Sequence, residues 1–246
     1  MIQAERLAKV FPATKKGKEV RAVDGVSFEC HPGEIYGLLG ANGAGKTTTL
    51  RLLATILEPT SGTAKVAGFD IVEDPEKVRA RVGFLSTATA LYGRLTAREF
   101  IEYFGRLHGL EEGPLRKSVD ELIETLGIKE FSERRCDKLS TGMKQKVSIA
   151  RTLVHDPPVM IFDEPTIGLD VMAARTIVGF IRQCRDRGKT VIFSTHVMSE
   201  VEKLCDRIAI IHRGRFLTEG TLGDLRARHG KQDLEDIFVE VVGEGQ

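Results

Sequence analysis

Residues Gly40, Ala41, Asn42, Gly43, Ala44, Gly45, Lys46 and Thr47 stand between a short apolar run, residues 34–39, and a stretch of helical spacing, residues 46–57. No other segment constrains the fold as tightly. Glycines at this density permit backbone angles and close approaches that a Cβ forbids. The apolar run reads as a buried strand, and Leu50, Leu53, Ala54 and Leu57 recur at the period of a helix packed by one face. A strand that turns sharply into a helix presents unpaired N–H groups and the positive end of the helix dipole at one point. Such a corner holds an anion. Lys46 adds a point charge and Thr47 an oxygen suited to Mg²⁺, which makes the anion a polyphosphate. The candidate nucleotide-binding positions here are Gly40, Asn42, Gly43, Ala44, Gly45, Lys46, Thr47 and Thr48.

At 246 residues with 41% apolar side chains, the chain is long enough to bury a large core as one α/β domain or two lobes. Its 36 basic and 35 acidic side chains nearly cancel, so no field makes nucleic acid the expected partner. Cys30, Cys136, Cys184 and Cys205 are far apart with no C-x-x-C pair, a pattern that suggests neither zinc nor disulfides and fits a reducing cytoplasm. No apolar run approaches the roughly 20 residues that a membrane helix needs, and the first residues lack a secretory signal. A membrane role would therefore run through a partner.

Over residues 2–70 short β-type runs alternate with turns such as His31-Pro32-Gly33, with the phosphate corner between them. Between about residues 95 and 126 the spacing becomes helical, as in Phe100, Tyr103, Phe104 and Leu107, with breaks expected at Gly109 and at Gly113-Pro114. This predicts a helical insertion. Apolar strands return at 159–162, 190–193 and 207–211, with a helix over about 171–184, and that alternation implies a parallel sheet. Beyond Thr221 charges alternate around a small apolar cluster, Ile237, Phe238 and Val239, which says little by itself.

A phosphate corner alone does not separate kinase, GTPase, helicase and transport ATPase. The next acidic motif narrows the choice: the strand 159–162 delivers Asp163 toward a Mg²⁺ beside Thr47, and Glu164 follows where it can hold an attacking water. In isolation the same pattern is a buried strand ended by two exposed acids before Pro165; the corner upstream favours metal ligand and base. No N-K-x-D segment that would read guanine occurs, so adenine is the expected base. Ser140 can cap the helix that follows it and Gly142 lets a phosphate approach. Met143, Val147, Ala150, Leu153 and Val154 form an apolar stripe that a purely structural helix would also carry. His196 follows the end of a strand, where an imidazole can bond a γ-phosphate, although a lone histidine is more often structural.

Taken in order, these segments resemble ABC ATPases. Leu139, Ser140, Thr141, Gly142 and Met143 are similar to the family's signature L-S-G-G-Q, with Thr141 and Met143 replacing a glycine and the glutamine. Residues 165–170 resemble its D-loop and His196 its switch histidine. Phe11 sits where the family places an aromatic that stacks on adenine; a core or edge-strand aromatic is the other reading. Thr87 departs from the pattern, since most of the family has a glutamine there that touches Mg²⁺ and links the core to a helical lobe. The resemblance spans Phe11 to Ile211. Leu91, Tyr92, Leu95, Thr96 and Glu99 resemble subunits of exporters with separately encoded permeases, and residues 139–146 with 155–158 resemble those of sodium-extruding ABC exporters.

The resemblance implies an α/β fold, a P-loop NTPase (RecA-like) core with an N-terminal antiparallel β subdomain and an inserted α-helical subdomain. The ATPase domain would span 1–220, with the helical part at about 88–155, and a short tail 221–246. It implies ATP and Mg²⁺ as cofactors. Lys46, Glu164 and His196 would be catalytic, Phe11, the corner, Ser140 and Gly142 nucleotide-binding, and Thr47 and Asp163 metal ligands. Two copies would pair head to tail, with Ser140 and Gly142 reaching the ATP of the other copy. The subunit would act on the cytoplasmic face, powering an integral membrane permease, an exporter with sodium as one cargo; nucleic acid is not expected. Two other readings stay open: a soluble ABC ATPase of translation or DNA repair, which needs a second cassette or coiled-coil insertion not visible here, and a hydrolysis-impaired regulatory module, motivated by Thr87, Thr141 and Met143.

Overall fold

The computed structural model describes residues 1–13, 18–86 and 91–244. Strands β1 (Ile2–Phe11) and β2 (Val20–Cys30) come first; Val26, Phe28 and Cys30 of β2 are buried while Ser27 and Glu29 are exposed, the alternation of a strand with one solvated face. β3 (Ile35–Leu39) is buried at every position and leads into helix α1 (Lys46–Leu53). Next are β4 (Ser61–Val66), β5 (Phe69–Asp70), α2 (Pro75–Arg79) and β6 (Val82–Ser86). Helices α3 (Ala97–Leu107), α4 (Glu112–Thr125) and α5 (Thr141–Leu153) separate β6 from β7 (Val159–Asp163). The chain continues through α6 (Val171–Asp186), β8 (Thr190–Thr195), α7 (Met198–Leu204), β9 (Arg207–His212), β10 (Arg215–Gly220), α8 (Leu222–His229) and α9 (Leu234–Glu244).

The strands form two sheets, and both expected kinds are present. One is antiparallel in the order β2-β1-β4-β5. The other runs β10-β9-β3-β8-β7-β6, parallel from β9 to β6, with β10 antiparallel at one edge. Alternate side chains of the parallel strands separate two cores: Met160, Phe162, Val191 and Phe193 pack with the inserted helices, while Ile161, Ile192 and Leu38 pack with α1 and the antiparallel sheet. Register does the rest: Leu39 lies opposite Thr195 and Asp163 opposite Ser194, so the carboxyl ends of β3, β8 and β7 share one edge. Ligands of open α/β sheets bind beyond that edge.

Three local expectations are revised. α1 ends at Leu53 rather than Leu57, because Thr55 takes a φ of 56° and the N–H groups of Ile56 and Leu57 turn back to the Arg51 carbonyl. Gly113 and Pro114 do not interrupt a helix; they occupy the first turn of α4, where a proline forfeits no needed N–H. Gly109, at φ 78°, makes the break. The segment after Thr221 is part of the core: a Thr221–Asp224 capping box starts α8, and Leu225, Leu234 and Ile237 are fully buried with Ile208 and Ile210 of β9.

Candidate nucleotide site

Two glycines shape the corner between β3 and α1. Gly45 has a φ of 112° and a Cβ there would lie 2.4 Å from the Ala22 carbonyl oxygen; on Gly40 it would lie 2.5 Å from that of Ile211. No side chain caps α1 and no acid stands in its first turn, so its leading N–H groups are left for a ligand. The β9–β10 turn braces the corner from behind, the Gly214 N–H donating to the Ala44 carbonyl at 2.8 Å. Lys46 is only 4% exposed, and its ammonium has three acceptors for three hydrogens: Gly40 O at 2.7 Å, Ala41 O at 3.2 Å and Glu164 Oε1 at 2.9 Å.

Asp163 ends β7 in a buried position, and its Oδ1 accepts from Thr47 Oγ1 and Ser194 Oγ, each at 2.9 Å. Glu164 follows with a φ of 46°, a conformation that costs a non-glycine residue on the order of 1–3 kcal/mol and persists only where the surroundings impose it. Strand β8 imposes it: the Glu164 N–H donates to the Ser194 carbonyl at 3.2 Å and to Ser194 Oγ at 3.0 Å. The turn sends the Glu164 carboxylate back over the strand ends, one oxygen on Lys46 and the other 3.2 Å from His196 Nδ1. Thr47 and Asp163 offer two hard oxygens side by side, a donor set that fits Mg²⁺, which takes one or two protein oxygens and completes its octahedron with water and phosphate. Among the described residues no group of three His, Cys, Asp or Glu side chains could hold a metal.

A cavity of about 330 Å³ opens over the corner, lined by Phe11, Asn42, Gly43, Gly45, Lys46, Thr47, Thr48 and Glu164. Gly40 and Ala44 shape the corner without lining this space. Ser140 and Gly142 are not brought to it. Ser140 caps α5, accepting the Met143 N–H at 3.3 Å, and Gly142 lines a separate cavity of about 240 Å³ against α6. Asp170, in that second wall, caps α6 through the Met172 and Ala173 N–H groups, both at 2.9 Å. Thr87 lies outside the described residues. Two side chains that the motifs do not single out belong to the site: Ser194, which links Asp163 to the Glu164 backbone, and Arg213, which lines the nucleotide-sized cavity from the β9–β10 turn. Their only sequence signals are a hydroxyl in an apolar strand and an arginine before a turn glycine.

Residues 23–167 match the family model described as ABC transporter. The chain is 43% identical to the ABC transporter ATP-binding protein NatA of Bacillus subtilis (strain 168), over 94% of this chain and 94% of that protein. It is 36% identical to the linearmycin resistance ATP-binding protein LnrL of the same organism, over 99% of this chain and 76% of the relative. Among solved structures it is similar to an ATP-binding subunit of an ABC transporter, with a TM-score of 0.86 and 28% identity over 98% of this chain and 99% of the other. It is also similar to a dimeric ATP-binding cassette in a post-hydrolysis state bound to ADP and phosphate, with a TM-score of 0.79 and 25% identity over 90% and 98% of the two chains. The family match runs through both the phosphate corner and the Asp163–Glu164 pair, and the chain belongs to the ABC transporter ATP-binding family.

Proposed function

We propose that this chain is the ATP-hydrolysing subunit of a membrane exporter and works as two identical copies under a separately encoded permease. The observation that carries this reading is the joined set Lys46, Glu164 and His196 on one sheet edge beneath a nucleotide-sized cavity. Phe11, 36% exposed in the cavity wall, supplies a face for adenine, and the N–H groups at the start of α1 receive the phosphates. Thr47 and Asp163 hold Mg²⁺, which when bound neutralises charge on the phosphate oxygens. Lys46 and His196 address the γ-phosphate. The Glu164 carboxylate pairs with Lys46; a γ-phosphate that engaged Lys46 would leave that oxygen to take a proton from the attacking water.

The second copy follows from what the cavity lacks. Ser140 and Gly142 stand at the start of α5, away from their own chain's nucleotide cavity, and a head-to-tail pair would bring them to the other copy's ATP. Ile167, Val171 and Met172, beside Asp170, expose 43%, 70% and 70% of their surface and offer an apolar face for such a contact. No helix among the described residues is long and apolar enough to cross a membrane. The likeness to the ATP-binding proteins NatA and LnrL supports a membrane part in a partner, with this subunit on its cytoplasmic side. The relative named for linearmycin resistance supports export, and the resemblance to sodium-extruding exporters makes sodium one cargo. We assign the ATPase domain to residues 1–220 with its helical part at about 88–155, and the segment 221–246 to a C-terminal extension that packs onto it through Leu225, Leu234 and Ile237. Light scattering of Glu164→Gln with and without ATP-Mg²⁺ tests the shared site: reversible, ATP-dependent dimerisation is expected, and a monomer at saturating ATP refutes it.

A further inference from the structure

His196 has little to hold it in place. Its side chain is 41% exposed, and among the described residues its imidazole has one polar contact, the Glu164 carboxylate 3.2 Å from Nδ1. A ring so placed takes its position from the backbone on either side. That backbone is the turn between β8 and α7, and a single oxygen joins the two residues that flank the histidine: Thr195 Oγ1 accepts the Val197 N–H at 3.0 Å. The same hydroxyl donates to Glu200 Oε2 at 2.8 Å. A hydroxyl has one hydrogen to donate, and a carboxylate only accepts. With Glu200 opposite, the Thr195 hydrogen is committed and its lone pairs are left for the Val197 N–H.

An acid in the first turn of a helix ordinarily serves the helix. In a capping box the acid at the third helical position bonds the N–H of the cap residue directly, as Glu99 does to Thr96 in α3 and Asp224 to Thr221 in α8. Glu200 stands at that third position of α7, behind the cap residue Val197. It departs from the pattern by reaching past Val197 into the strand, where it holds the residue before the histidine. Both ends of this link are anchored. Thr195 is buried, its carbonyl accepts the Gly40 N–H at 3.4 Å, and Gly40 in turn offers its carbonyl to Lys46 at 2.7 Å. Helix α7 is seated through the buried Val201 and Leu204, and its Glu202 pairs with Arg226 of α8 at 3.2 Å. Consecutive hydroxyls of β8 therefore serve opposite sides, Ser194 the turn at Glu164 and Thr195 the turn at His196.

We propose that Glu200 is a positioning residue for His196, acting through the Thr195 hydroxyl to keep the imidazole at the γ-phosphate. The proposal rests on the reading of His196 as a γ-phosphate contact and adds the group that fixes it there. Glu200 does not line the nucleotide cavity, so its effect reaches the phosphate only through the turn.

The test measures, by calorimetry on the full chain with Mg²⁺, the affinities for a non-hydrolysable ATP analogue and for ADP. Their ratio reads the γ-phosphate and needs no turnover. Glu200→Ala should lower that ratio about tenfold, the loss of one hydrogen bond to a charged group, with ADP affinity unchanged. His196→Ala should lower it by a similar factor, and the double variant should lose no more than either alone, because the two residues act in series. Glu200→Gln, whose amide oxygen still accepts from Thr195, should recover most of the ratio. Thr195→Val, which keeps the packing and removes the hydroxyl, should match Glu200→Ala and carries the test if that variant fails to fold. A ratio unchanged in Glu200→Ala and Thr195→Val but lowered in His196→Ala overturns the positioning role and leaves the γ-phosphate reading standing. No change in any of the three overturns both. Losses that multiply in the double variant, or an equal fall in ADP affinity, reduce Glu200 to a helix-capping residue and overturn the proposal.

Discussion

Replacement of Ser194 by alanine isolates one oxygen that ties Asp163, the proposed metal ligand, to the turn at Glu164, the proposed base. The side chain is fully buried in β8; its hydroxyl donates to Asp163 Oδ1 at 2.9 Å and accepts the Glu164 N–H at 3.0 Å. A hydrogen bond to an ionised group contributes about 1.5–3 kcal/mol, and a buried group left without its partner loses that in full. The Glu164 N–H keeps the Ser194 carbonyl at 3.2 Å, so the second contact adds little and the net loss is set by Asp163. Ser194→Ala should therefore lower the free energy of unfolding by about 2 kcal/mol, read from urea melts followed by circular dichroism. Asp163 would then be held by Thr47 alone, and a carboxylate free to rotate is a poorer metal ligand. Steady-state hydrolysis should show a higher Mg²⁺ requirement and a kcat lower by about tenfold, a cost of about 1.4 kcal/mol in the transition state. Affinity for a fluorescent ATP analogue in EDTA should not change. Stability within about 0.5 kcal/mol of the parent, with an unaltered Mg²⁺ profile, would refute the reasoning and reduce Ser194 to a packing residue.

His155 makes the pH dependence asymmetric. Burial and the charge of His108 hold its imidazole at about 4 against an ordinary value of 6.5, so folding favours the neutral ring. Its contribution is complete above pH 6.5 and is lost as the pH falls toward 4, by about 3 kcal/mol in all. His155→Phe, which keeps a ring against His108, should flatten urea midpoints over that window relative to the parent; equal slopes would contradict the assignment. In the nucleotide cavity, Phe11→Ala should weaken ATP binding by about tenfold through lost stacking, with hydrolysis at saturation little changed. Arg213→Ala should weaken it by roughly threefold at low salt and not at high salt, as a solvent-exposed charge does. Titration with a fluorescent nucleotide separates both, and unchanged affinity in either variant removes that residue from the site.

The legible parts of this molecule were those whose physics is local. The corner from Gly40 to Thr47, the buried strand that ends in Asp163, the Ser140 cap and the apolar periods of α3, α5 and α6 each follow from demands that adjacent residues place on a backbone. Misreadings arose where two local rules competed. The helical spacing through Leu57 was overruled by a left-handed Thr55, and Pro114 read as a breaker because its place in a first turn depends on where Gly109 ends the preceding helix. The tail looked uninformative because Leu225, Leu234 and Ile237 acquire a common face only when α8 and α9 meet β9.

By itself the sequence displayed the groups on which the proposed chemistry rests: a glycine-rich corner, Asp163, Glu164 and a histidine, in an order similar to the ABC ATPases. Tertiary structure alone decided what those groups touch. Register places Asp163 opposite Ser194 and Leu39 opposite Thr195, and so joins Lys46, Glu164 and His196 across more than a hundred residues of chain. It also gathers Arg51, Arg79 and Arg151, far apart in sequence, around one cavity. The division is physical: backbone angles and caps are set by neighbours in sequence, whereas contacts between strand ends are set by which strands lie side by side, and that depends on burying the whole apolar surface at once.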